Sequence, residues 1–211
     1  MSKAVEIFGN KIIDKLCDLI EKDGIVCLAV SGGKSPIPLF EYLSKNNKID
    51  WSKVFITLID ERATNNIDDR NSILVQKYLL QHQAKSANFI NIYDDNKSIV
   101  DNIVQLNLNQ SYISPKVAIL GMGLDGHTAS IFPCCPEFNY LMHTSTRFAI
   151  ASPSTADYHR ITLTFSALLD IDYLFLFAQD HQKQELLHKI SKCSDKKYPI
   201  TELMKFRLVQ Q

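Results

Sequence analysis

"IVCLAVSGGKSPIPLFEYLSK", Ile25 to Lys45, runs from a short apolar stretch through a glycine-bearing polar turn into an amphipathic segment. The apolar run Ile25–Val30 is β-branched at both ends and too short for a buried helix, so it reads as a strand covered on both faces. Pro36 and Pro38 open the next segment, where a missing amide donor is tolerated, and Ser35 stands where an N-cap is expected. The unit is strand, loop, helix.

The same unit recurs along the chain. "VFITLID" (54–60) precedes "NSILVQKYLLQHQ" (71–83), "NFINIY" (88–93) precedes "SIVDNIVQLNL" (98–108), and "YLFLFA" (173–178) precedes "QKQELLHKISK" (182–192). "KVAIL" (116–120), "RFAIAS" (147–152) and "RITLTF" (160–165) add further strands. An opening helix places Val5, Phe8, Ile12, Leu16, Leu19 and Ile20 at helical spacing and stops at Gly24. Strands alternating with helices imply right-handed crossovers, hence a doubly wound, mostly parallel α/β sheet with helices on both faces. No Pro/Gly/Ser linker, repeat or low-complexity tract divides residues 1–211, so a single α/β domain is expected.

Composition narrows the partners. Lys+Arg and Asp+Glu both total 23, so no global field favours nucleic acid or an acidic membrane, and any anion must be bound locally. The first residues lack a secretory apolar core, and the longest apolar runs are too short to span a bilayer. A soluble protein is expected. Five cysteines without a C-x-x-C pair fit a reduced cytoplasm; Cys17, Cys27 and Cys193 lie in helix-like or strand-like segments. The adjacent Cys134 and Cys135 read as loop packing, with a redox-sensitive vicinal pair as the alternative.

Three polar segments follow strands, where open parallel sheets bind ligands. In "SGGKSP" (31–36), Gly32 and Gly33 free successive amides to face an oxyanion, and the helix behind adds its positive end. It is no Walker A loop, because the required earlier glycine falls on Leu28, inside the strand. "DER" brings two carboxylates, Asp60 and Glu61, beside Arg62 at the next strand's end, a set suited to proton transfer and oxyanion binding, with a solvated charged turn as the alternative.

The third segment, "GMGLDGHTASIFP" (121–133), fits G-x-G-x-x-G at Gly121, Gly123 and Gly126. A dinucleotide reading fails, because Pro133 and Pro136 cut off the required helix and "LMHTSTRFAIAS" supplies no acidic partner. Asp125 and His127 flanking Gly126 remain, a proton-transfer pair in the making. The remaining histidines show no metal spacing and no G-x-S-x-G elbow supplies a nucleophile, so neither metal nor cofactor is expected. Acid-base work on a bound small molecule is left.

"SGGKSP", "DER", "GMGLDGHTASIFP" and "RITLT", in this order and at these separations, closely resemble the 6-phosphogluconolactonase family over nearly the whole chain. The long glycine string is the specific part. The related glucosamine-6-phosphate deaminases carry Asp-Glu-Tyr and Gly-His-Ile-Ala-Phe-Asn-Glu instead, so Arg62 and "HTAS" favour the lactonase. The resemblance implies cofactor-free hydrolysis of 6-phosphoglucono-1,5-lactone, with His127 activating water and Arg62 steadying the developing oxyanion. It further implies a phosphate site of Ser31, Gly32, Gly33, Ser35, Arg160 and Lys183. Asp125 either orients His127 or contacts sugar hydroxyls. Two alternatives share the scaffold: a deaminase-isomerase with Asp60 as base, and a catalytically silent sugar-phosphate binder.

The chain departs from the family pattern at several points. Ser35 replaces the usual Thr, "ATNN" follows "DER", and Asn71-Ser72 inverts the usual order. The proline expected near Arg160 is missing, with Tyr158 and His159 before it, and Asp180 replaces a glycine before Lys183.

Overall fold

The structure is a computed structural model that describes residues 2–192, 198–205 and 208–210. Helix α1 (Lys3–Asp23) is capped by the Ser2 side chain, which accepts from the Val5 amide, and ends at Gly24 with φ 82°. Its Phe8, Ile12 and Leu16 are fully buried. The strands β1 (Val26–Val30), β2 (Val54–Leu58), β3 (Asp60–Arg62), β4 (Asn88–Ile90), β5 (Val117–Leu120), β6 (Phe148–Ala151), β7 (Arg160–Leu163), β8 (Tyr173–Leu176) and β9 (Leu208–Gln210) form two sheets.

The larger sheet has the order β4-β2-β1-β5-β8-β9, and every pairing in it is parallel. β1 and β5 are buried along their whole length, which explains their continuous apolar sequences. The helices are α2 (Ile37–Ser44), α3 (Asn71–Tyr78), α4 (Ile99–Leu108), α5 (Phe138–His143), α6 (Phe165–Leu169), α7 (His181–Ser191) and α8 (Pro199–Met204). The mostly parallel α/β architecture read from the sequence is the observed one.

The smaller sheet was not foreseen. β3, β7 and β6 pair antiparallel in that order, so "DER" is a strand and not a charged turn. Ile59 joins the two sheets: its amide donates to the Val30 carbonyl at 3.0 Å and its carbonyl accepts from Leu163 at 2.8 Å. Glu61 is completely buried and its carboxylate accepts three backbone N–H groups, which is why so polar a segment sits inside the protein.

Ser35 also differs from expectation. The Pro36 carbonyl accepts the first helical bond, from Phe40 at 2.9 Å, and α2 has no side-chain cap. The Ser35 hydroxyl accepts instead from Lys183 Nζ at 3.0 Å. Cys193 lies outside the described residues; Cys17, Cys27, Cys134 and Cys135 are free thiols.

Candidate active site

The loops after β1 and β5 are laced together at the carboxyl ends of their strands. Ser31 donates its amide to the Ile119 carbonyl at 3.0 Å, and its hydroxyl accepts from the Gly121 amide at 3.1 Å. Above this junction opens a cavity of about 310 Å³, and every expected site residue except Asp125 lines it. A larger cavity, about 380 Å³, lies around Arg147 and Asp170 and is lined by none of the expected site residues.

Asp125 sits behind His127. His127 Nδ1 and Asp125 Oδ1 are 2.5 Å apart, and the same oxygen accepts from the His127 amide at 3.3 Å. Burial works against ionising Asp125, but the hydrogen bond and charge of His127 outweigh it and hold the carboxyl below its ordinary value. In the neutral imidazole, donation of Nδ1–H to this carboxylate would leave the Nε2 lone pair free. Gly123 is required for the arrangement, since a Cβ there would overlap both the imidazole and the Asp125 carboxylate.

The cavity lining is cationic. Lys34, Arg62, Arg160 and Lys183 face the cavity against a single carboxylate, Asp60. That carboxylate is itself engaged: Oδ2 accepts from the Ser130 hydroxyl at 2.5 Å and lies 3.9 Å from Arg160 Nη1. Burial lowers the Arg160 pKa, Asp60 opposes that effect and Arg62 adds to it, while Arg160 Nε is buried without a partner. An anion entering the cavity meets donors that the protein leaves underused.

Asn71 lines the cavity although the sequence reading assigns it no role, while Glu61, read from the sequence as a second carboxylate for proton transfer, is buried and does not line it. Asn71 donates to the Asp60 carbonyl at 2.8 Å and packs so tightly over Gly32 that a Cβ there would overlap it. Glu61 accepts from the Arg62, Asn71 and Ser72 amides at 2.7, 2.7 and 2.8 Å, tying β3 to the amino end of α3. Burial pushes its carboxyl up while those donors pull it down, with a net rise. The inverted Asn71-Ser72 pair was the visible signal.

Two departures from the family pattern meet in space. The Tyr158 hydroxyl donates to Asp69 Oδ2 at 2.8 Å, and Arg62 Nη1 donates to the Asp69 carbonyl at 2.5 Å. Tyr158 adopts φ 69°, a conformation unusual for a side chain of its size. Asp180, standing where a glycine was expected, caps α7 by accepting from the Gln182 amide, which delivers Lys183 in the first turn. Among the described residues no group of three or more His, Cys, Asp or Glu is placed to hold a metal ion.

Fold and site define an α/β protein with a cation-lined pocket and a carboxylate-paired imidazole at the carboxyl edge of its parallel sheet. The chain belongs to the family of glucosamine-6-phosphate isomerases/6-phosphogluconolactonase, whose model matches residues 2–209. It is 35% identical over 206 residues to a 6-phosphogluconolactonase of Neisseria meningitidis serogroup A, covering 94% of this chain and 88% of that one. A Helicobacter pylori 6-phosphogluconolactonase is 37% identical over 174 residues, 82% of this chain and 75% of the other. The crystal structure of a 6-phosphogluconolactonase from Shewanella baltica superposes with a TM-score of 0.89 at 32% identity, over 98% of this chain and 91% of that one.

Proposed function

We propose that this chain is a 6-phosphogluconolactonase, hydrolysing 6-phosphoglucono-1,5-lactone to 6-phosphogluconate in the pentose phosphate pathway. The observation that carries the mechanism is the His127–Asp125 contact, 2.5 Å between Nδ1 and Oδ1, on the wall of a cationic pocket. Asp125 fixes the tautomer, so His127 Nε2 takes a proton from water as that water attacks the lactone carbonyl. Arg62 stabilises the charge that develops on the carbonyl oxygen. As the ring C–O bond breaks, the imidazolium returns its proton to the leaving oxygen.

The phosphate is held by the Gly32 and Gly33 backbone, Ser35, Lys183 and Arg160, with Ser31 bracing the loop. Such remote binding orients the carbonyl near His127. A lactone is an activated ester, so a positioned base supplying roughly 10²- to 10⁴-fold, with one oxyanion donor, is a sufficient engine. Asp60 acts as the anchor of Arg160 and Ser130. This engagement counts against the deaminase reading, which requires Asp60 as a free base.

Free thiols at Cys17, Cys27, Cys134 and Cys135 support a cytoplasmic setting. No described helix is long and apolar enough to cross a membrane. The direct test generates the lactone in place with glucose-6-phosphate dehydrogenase and follows its disappearance against spontaneous hydrolysis. Acceleration is expected; an unchanged rate sinks the lactonase reading, and ammonia release from glucosamine 6-phosphate would promote the deaminase.

A further inference from the structure

His127 and Phe132 flank a tight turn. Thr128 and Ile131 form an isolated antiparallel bridge, with the Ile131 amide donating to the Thr128 carbonyl at 3.1 Å and Ala129 between them at φ 52°. A non-glycine residue in this conformation is strained, and such strain persists only where the surroundings impose it. The turn lays the His127 ring on the Phe132 ring, centroids 3.8 Å apart and planes 25° from parallel. The same phenyl ring receives the Arg160 guanidinium, whose Cζ lies 5.2 Å from its centroid. Phe132 is only 4% exposed, so neither contact is a surface accident.

The Asp125 contact alone does not hold an imidazole plane. The two side chains are 45% and 25% exposed, and paired groups in such contact with water hold each other weakly. Rotation about the terminal side-chain bond of histidine is also broad, lacking the sharp staggered wells of aliphatic torsions. A second restraint is required, and a buried aromatic face supplies one.

We propose that Phe132 is the positioning residue of the site: one phenyl ring sets the plane of His127 while registering Arg160 against it. Asp125 then selects the tautomer, and the spacing between base and anion-binding cation follows from a single buried side chain. The kinetic consequence rests on the lactonase reading. The ring contact itself does not.

The test uses Phe132→Leu, which removes the ring and keeps an apolar side chain, and Phe132→Tyr, which restores the ring. With the lactone as substrate, Phe132→Leu is expected to lower kcat by about 10- to 100-fold, the scale of an ångström-level misplacement. KM should rise by only about two- to fivefold, the loss of one cation–π contact. Phe132→Tyr should recover most of the kcat. Proton NMR of the substrate-free wild type should show the His127 Cε1 proton upfield of the other histidines, assigned with His127→Asn and lost in Phe132→Leu.

Unchanged kcat in a folded Phe132→Leu, or equal losses in both variants that track their melting temperatures, overturns the proposal. Should Phe132→Leu fail to fold, the wild-type spectrum still decides, because an unshifted His127 proton overturns the stack directly. A shifted proton in a protein inert toward the lactone supports the clamp and counts against the lactonase reading.

Discussion

Arg62 and Arg160 are register partners across the antiparallel rung of β3 and β7, so two guanidinium groups share one wall of the cavity. Like charges directly opposite each other destabilise a strand pair. The rung is compensated by Asp60, 3.9 Å from Arg160, and by the Asp69 carbonyl that accepts from Arg62. A bound anion completes the compensation. 6-Phosphogluconate should therefore raise the melting temperature, by an amount equivalent to about 2.7 kcal/mol at a concentration 100 times its Kd. Arg160→Ala should abolish most of that shift and chiefly raise KM, both readable by thermal scanning and steady-state kinetics.

His127→Asn removes the proposed base and should lower kcat far more than it weakens ligand binding. Asp125→Asn keeps the size of the acceptor but removes the charge that selects the Nδ1–H tautomer. Analogous carboxylate-to-amide changes cost up to about 10⁴-fold, and a loss of roughly 10² to 10⁴ in kcat is expected here. The folded-state pKa of Asp125 is depressed, so whatever its ionisation contributes is present above its unfolded value and lost only as the pH falls through the lower folded one. Between about pH 5 and 8 the carboxylate is ionised throughout, so a kcat/KM limb in that window belongs to another group. A profile of Asp125→Asn should therefore have a lowered plateau with that limb retained.

Glu61 offers a structural counterpart. Its Oε1 accepts from Arg62 and Asn71 and its Oε2 from Ser72, so both oxygens are committed. Glu61→Gln places an amide NH₂ against at least one backbone N–H whichever way it is turned. The cost is about 1–3 kcal/mol, or a fall of several degrees in melting temperature for a chain of this size. Because Arg62 and α3 hang on the same carboxylate, kcat/KM should fall with it even where the variant remains folded.

Much of this was legible because burial imposes a pattern: β1, β5 and β8 had to be apolar throughout, and helical periodicity exposed α1. The loops after β1 and β5 were legible because close backbone approach demands glycine, as Gly32 and Gly123 show. β3 was hidden, since three polar residues announce a turn unless their partners elsewhere in the chain are known. Phe132 was hidden for the converse reason: an aromatic in an apolar loop looks like ordinary core, and only the turn at Ala129 reveals that it lies against His127. Lys183 depended on the distance to Ser35, which separation in sequence does not reveal.

The described cysteines should differ sharply in reactivity. The hydrogen bond with the Thr155 hydroxyl, at 3.2 Å, pulls the half-buried Cys134 thiol below its ordinary value. Burial pushes Cys17 and Cys135 up, and pushes Cys27 to about 12. The thiolate is the nucleophile, so a lower pKa means a larger reactive fraction at any pH below it. Iodoacetamide at about pH 7.5, followed by peptide mapping, should label Cys134 first, Cys17 and Cys135 more slowly, and Cys27 only after unfolding. Thr155→Val should slow the labelling of Cys134 and leave Cys17 unchanged. Labelling of Cys27 at the rate of Cys134 in the folded protein would contradict the burial of β1 itself.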